Sequence, residues 1–105
     1  MFHEIMTIAP REIIKGYKGR FIHTGNMTIA FWEVEAGATI PVHHHIHEQV
    51  CHVLEGKFKL SVGDECRELE PGIVATIPPG TPHSGTAVTD CKLLDIFSPE
   101  RDDYK

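Results

Sequence analysis

The sequence predicts an all-β fold, a sandwich or barrel built as one domain. Three observations predict it: a series of short β-like runs, turn residues that separate them at regular intervals, and a single segment with any helical character. The length agrees, because 105 residues can bury one core without disulfides or a second domain.

Taken in order, Ala9–Lys15 is the segment that hints at a short helix. Thr24-Gly25-Asn26 leads into the run Met27–Glu35, which Ala36-Gly37 ends. Glu55-Gly56 separates Val50–Leu54 from Lys57–Val62, and Gly63-Asp64-Glu65 turns into Cys66–Leu69; these are hairpin joints, where glycine and short polar residues accept the backbone reversal. Glu70-Pro71-Gly72 opens Ile73–Ile77, which the stiff stretch Pro78-Pro79-Gly80-Thr81-Pro82 breaks. Cys91–Phe97 is the last clear strand. The polar residues 98–105 can fray as termini do, although their chemistry, taken up below, predicts that part of them folds back.

Composition excludes several classes of function. Hydrophobic residues at 41% and charged residues at 24% are those of a globular chain rather than a disordered or fibrous one. A net charge of -5, with ten basic residues spread along the chain, argues against nucleic-acid and anionic-membrane surfaces and favours a small-molecule partner. No apolar run approaches a membrane span, and the N-terminus lacks the basic and apolar stretches of a leader, so the protein is expected in the cytoplasm. Cys51, Cys66 and Cys91 are odd in number and widely spaced, which predicts reduced thiols rather than a disulfide framework or zinc ribbon.

Histidine is the anomaly: five of the eight fall within residues 43–52. Residues two apart on a strand point to one face, so His43 and His45 would present both imidazoles to one point if they share a strand. Gln49 follows after a short turn, and His83 stands just beyond the proline-rich stretch, which could swing a further ligand toward the others. Nothing beyond proximity recruits His44, His47 or His52, which are expected at the surface or behind the site.

These residues fall into a known pattern. Gly37…His43-His44-His45…Gln49…Gly56 resembles the first motif of the cupin superfamily, and Gly72…Pro78-Pro79-Gly80…His83 resembles the second. The two motifs occupy 37–56 and 72–83 of a domain expected to span residues 1–105. The resemblance implies a double-stranded β-helix, a jelly-roll barrel of six to eight strands, with one divalent metal ion inside, held by His43, His45, Gln49 and His83. Two positions depart from the pattern: Gln49 stands where the family usually has Glu, and Ala87 where an Asn often follows the second motif. Glu48 adjoins Gln49, but strand geometry turns neighbours to opposite faces. Three neutral imidazoles and an amide leave the ion's charge uncompensated, which suits an anionic ligand such as a carboxylate or enolate. Zinc, nickel, iron, manganese and cobalt all suit such a donor set.

Along Cys91–Phe97, Leu93, Asp95 and Phe97 share one face. A carboxylate between two apolar residues on a barrel's inner face is costly without a partner, and such a setting tunes an acid for proton transfer. Leu94 and Ile96 then face outward, and this apolar surface predicts a homodimer. The stretch from Asp95 to Tyr104 also looks like the ending of one cupin subgroup, the pectin-degradation type that opens unsaturated uronate rings. That resemblance implies active-site roles for Asp95, Phe97 and Arg101 in the tail 95–105, and a carboxylated sugar as the substrate. Two other classes remain open at this level: a cupin dioxygenase or oxidoreductase, and a non-catalytic sugar-acid binding module.

Overall fold

A computed structural model describes residues 1–105 and contains ten strands: β1 (Arg11–Ile14), β2 (Tyr17–His23), β3 (Thr28–Val34), β4 (Thr39–His43), β5 (Glu48–Glu55), β6 (Phe58–Val62), β7 (Glu65–Leu69), β8 (Val74–Ile77), β9 (His83–Ala87) and β10 (Cys91–Ser98). They form two sheets, of order β1-β2-β3-β10-β5-β8 and β4-β9-β6-β7, and every pairing is antiparallel. The two inner faces enclose the core, so the chain is an all-β double-sheet barrel. Strands β3 to β10 number eight, as the resemblance implies. The hairpin of β1 and β2 extends the larger sheet beyond it.

That hairpin overturns the one helical expectation. Ala9–Lys15 is too short to hold a helix on its own, and Arg11–Ile14 instead pairs with β2, with a bulge between Glu12 and Ile14. Both Ile13 and Ile14 pack on the core from this edge position.

Alternation along the central strands decides what faces the barrel interior. On β10, Cys91, Leu93, Asp95 and Phe97 are buried, while Leu94 and Ile96 lie half-buried on the outer face. Asp95 sits between Ala30 of β3 and Cys51 of β5, and Phe97 between Thr28 and Gln49. Deeper in, Tyr17 meets Trp32 and Phe58 edge to face, at centroid distances of 6.1 and 6.5 Å, a geometry that matches the positive ring edge to the negative ring face.

Two glycines make close approaches possible. Gly56, at φ 87°, lies where a Cβ would run into the Asp90 carbonyl oxygen and approach Thr89 Oγ1 to 2.7 Å, so it lets the β5–β6 turn lock against the loop before β10. On β9, a Cβ at Gly85 would strike the ring of Phe58; its absence makes room for that core residue.

Candidate metal centre

The site lies where the two sheets meet. His43 is the last residue of β4 and His83 the first of β9, and the ladder sets them opposite each other. His45 does not share the strand of His43. It lies in the loop between β4 and β5, and the chain's turn, rather than the two-residue period of a strand, brings its ring to the others. Gln49 enters from the opposite sheet on β5, buried, whereas its neighbour Glu48 is exposed. Ligand atoms of His43, His45 and His83 lie within 4.8 Å of one another. Three imidazole nitrogens this close together could serve a single ion.

The hydrogen bonds behind the rings prepare them for this. Each Nδ1–H donates to a backbone carbonyl two residues away: His43 to Pro41 at 2.9 Å, His45 to His47 at 3.0 Å and His83 to Thr81 at 2.8 Å. A carbonyl can only accept, so the proton is fixed on Nδ1 and the neutral ring offers its Nε2 lone pair to the site. Burial, then the positive charge of Arg101 and the neighbouring His83, pushes the His45 pKa down to about 4; burial is also the main cause of the lowering at His83. Both rings are thus neutral at physiological pH. His45 Nε2 then faces another acceptor, Gln49 Oε1, at 3.1 Å, and His83 Nε2 is buried with no hydrogen-bond partner. Lone pairs aimed at one point repel unless a cation lies among them, so the donor set fits a metal ion and this three-histidine group can hold one.

The residues recruited from the tail border the same cavity. Asp95, Phe97 and Arg101 line it together with His43, Gln49 and His83. Burial lifts the Asp95 pKa from 3.8 to about 6, held back by the polar groups of Cys51, Gln49 and Trp32 and by the Arg101 charge; Oδ1 has no hydrogen-bond partner. Arg101 is buried, with its guanidinium carbon 4.7 Å from the Phe97 centroid and 4.2 Å from that of Tyr104. The tail does fold back: the Arg101 N–H donates to Thr28 Oγ1 at 2.8 Å, and Arg11 Nη1 donates to the Tyr104 carbonyl at 2.7 Å.

A stability prediction follows from Asp95. Its pKa is higher in the folded chain than in the unfolded one, so the folded state is favoured by the bound proton. That contribution is complete below about pH 3.8 and is lost as the pH rises through about 6. In metal-free protein, Asp95→Asn should therefore unfold at a higher temperature than wild type at pH 8, with the gap closing toward pH 4. Parallel melting curves across that range would show no such convergence if the carboxyl were solvated.

The other histidines of the cluster lie where the sequence places them, behind the site or at the surface. His47 supports His45 through its carbonyl and donates from Nε2 to the Glu100 carbonyl at 3.1 Å, tying the histidine loop to the tail. His44 is exposed, and His52 lies half-buried on the outer face of β5. Two participants carry no signal in the sequence: Tyr17 and Trp32 belong to the core, yet Tyr17 Oη and Trp32 Nε1 are buried without hydrogen-bond partners and both residues line the cavity. Tyr104 joins them from the tail, stacked on Phe21 at a centroid distance of 4.7 Å and bordering the cavity.

Residues 30–97 match the family model described as Cupin domain. Among solved structures, the chain is similar to KdgF from Halomonas sp., at a TM-score of 0.94 and 28% identity over 100% of both chains. It is also similar to an RmlC-like cupin from Shewanella frigidimarina NCIMB 400, at a TM-score of 0.93 and 28% identity, covering 99% of this chain and 95% of that one. The uncharacterized protein SCO3923 of Streptomyces coelicolor is 28% identical over 92 residues, 87% of this chain and 88% of its own length.

Proposed function

The chain belongs to the cupin family, and from that premise we propose that it is a metal-dependent enzyme converting 4,5-unsaturated monouronates, released by pectin or alginate breakdown, into their linear keto forms. One observation carries the reading: a buried carboxyl whose Oδ1 has no hydrogen-bond partner and a buried guanidinium border the same cavity as His43, Gln49 and His83. The resemblance of the tail to the pectin-degradation cupins supports it.

His43, His45 and His83 through Nε2, with Gln49 through Oε1, would hold one divalent ion, which when bound supplies Lewis acidity toward ring and hydroxyl oxygens. The donor set is neutral, which favours an anionic substrate. Asp95 Oδ1 takes the proton of the anomeric hydroxyl as the bond from the anomeric carbon to the ring oxygen breaks, which leaves an aldehyde and an enolate. Returning that proton to the enolate carbon gives the keto form, and a base with a pKa near 6 is ionised at neutral pH and still able to return it. Arg101 binds the substrate carboxylate, and Phe97 forms the wall beneath it.

The test is to incubate metal-replete protein with unsaturated galacturonate and mannuronate and follow the conjugated ultraviolet absorbance. Loss of absorbance in step with protein concentration is expected. Unchanged absorbance with both substrates would sink the assignment.

We further infer a homodimer. Leu94 and Ile96 stand beside Phe31, Ile29 and Val50 on the outer face of the larger sheet, a contiguous apolar surface that a second copy would cover. Light scattering at micromolar concentration should give twice the chain mass, and a monomer mass would count against it. The three free thiols suit the reducing cytoplasm expected from the sequence.

A further inference from the structure

Arg101 does not enter the site alone. Its Nε donates to Asp103 Oδ1 at 2.9 Å and its Nη2 to Asp103 Oδ2 at 2.8 Å, a two-point pair within the tail. We propose that Asp103 is a positioning residue: it fixes the guanidinium so that its remaining edge is presented to the carboxylate of the substrate. This inference rests on the reading of Arg101 as the carboxylate clamp.

The donor inventory carries the argument. A guanidinium has five N–H groups in one plane. Asp103 takes the one on Nε and one of the two on Nη2. Both hydrogens of Nη1 and the second of Nη2 remain, and one from each lies along the adjacent edge, matched to a second planar carboxylate. One arginine can therefore hold two carboxylates side by side, one supplied by the chain and one by the ligand.

The surroundings explain why the first is needed. Phe97 and Tyr104 lie against the guanidinium, at 4.7 and 4.2 Å. Cation–π attraction holds the group over a ring but does not choose its rotation within the plane. Asp103 supplies that choice through two directional bonds. Its contribution to folding is small, because its side chain is 59% exposed and an exposed partner is screened by water. The tail is fastened independently by the Arg101 N–H on Thr28, by the Gly25 N–H on Glu100 and by Arg11 on the Tyr104 carbonyl. What the pair does gain is orientation of a side chain that borders the cavity with Asp95 and His83.

The experiment combines Asp103→Ala, Asp103→Asn, Arg101→Ala and the double variant Arg101→Ala/Asp103→Ala, each checked for melting temperature and metal content. Asp103→Ala should raise KM for unsaturated galacturonate roughly tenfold with kcat little changed, as loss of uniform binding requires. Asp103→Asn, which keeps one acceptor, should fall between. In the Arg101→Ala background the second substitution should add nothing. Nitrogen-15 NMR supplies a readout independent of turnover: exchange of the Arg101 Nε–H with solvent should accelerate in both Asp103 variants. Unchanged exchange would overturn the proposal, as would a lower KM in Asp103→Ala, which would make Asp103 a competitor for the clamp, or a melting-temperature loss with KM unaltered. If wild-type protein leaves the uronate intact, the function proposed above fails, while the NMR measurement still decides the role of Asp103.

Discussion

Asp95→Ala is expected to lower turnover of unsaturated uronate by roughly 10²–10⁴-fold, the usual worth of a positioned acid or base, while fold and metal content stay as in wild type. The fold should survive because the substitution removes a buried carboxyl whose Oδ1 has no partner, and so removes a desolvation cost along with the group. Metal content should hold because the residues proposed to hold the ion are His43, His45 and His83, with Gln49 beside them. Asp95→Asn, which keeps the shape and loses the base, should fall as far as alanine. Circular dichroism and metal analysis beside steady-state rates make the comparison. Turnover at the wild-type rate in either variant would mean that Asp95 is not the base, and the ring-opening chemistry as described would be wrong.

The second large effect concerns the ion. His83→Ala should strip the protein of metal on dialysis, with a fall in affinity beyond the roughly 10–100-fold that loss of a hydrogen-bond partner behind a ligand typically brings. His83 is the sharpest choice because its ring is buried, its Nδ1–H is committed to Thr81 and its Nε2 has no other partner. His44→Ala is the matched control, an exposed imidazole from the same cluster, and should retain metal. Elemental analysis after dialysis against metal-free buffer reads both. Equal metal in His83→Ala and wild type would show that the three-histidine group is not where the ion sits.

Legibility in the sequence followed the strength of local pattern. β3, β5, β6, β7, β8 and β10 could be read because each is a short β-like run set between clear turn residues. β9 could not, since Ser84-Gly85-Thr86 has the composition of a turn and is held as a strand by its neighbours β4 and β6. β2 carries lysine and arginine among its apolar residues, and β4 contains a proline. At the site, spacing and resemblance name His43, His45, Gln49 and His83 with Asp95, Phe97 and Arg101; the fold gathers the three imidazoles within 4.8 Å of one another and lines one cavity with the other four and with His43 and His83. The route differs for His45, which arrives by a loop. Trp32, Tyr17 and Asp103 were invisible for a different reason. Their significance lies in where a polar atom points, and that depends on contacts between residues far apart in sequence, or, for Asp103, on a turn that no periodicity announces.

The place of β10 has a consequence for how the protein is made. It lies between β3 and β5, joining β1-β2-β3 to β5-β8, yet it leaves the ribosome after every strand that it joins. Until then the nascent chain holds two partial sheets with open edges, the kind of surface on which strands of other molecules pair. The closing strand also brings Asp95 and Phe97, and the segment behind it brings Arg101. Synthesis therefore completes the sheet and delivers these residues in a single late event, and a chain interrupted before β10 would lack the middle of its larger sheet together with its acid and its arginine.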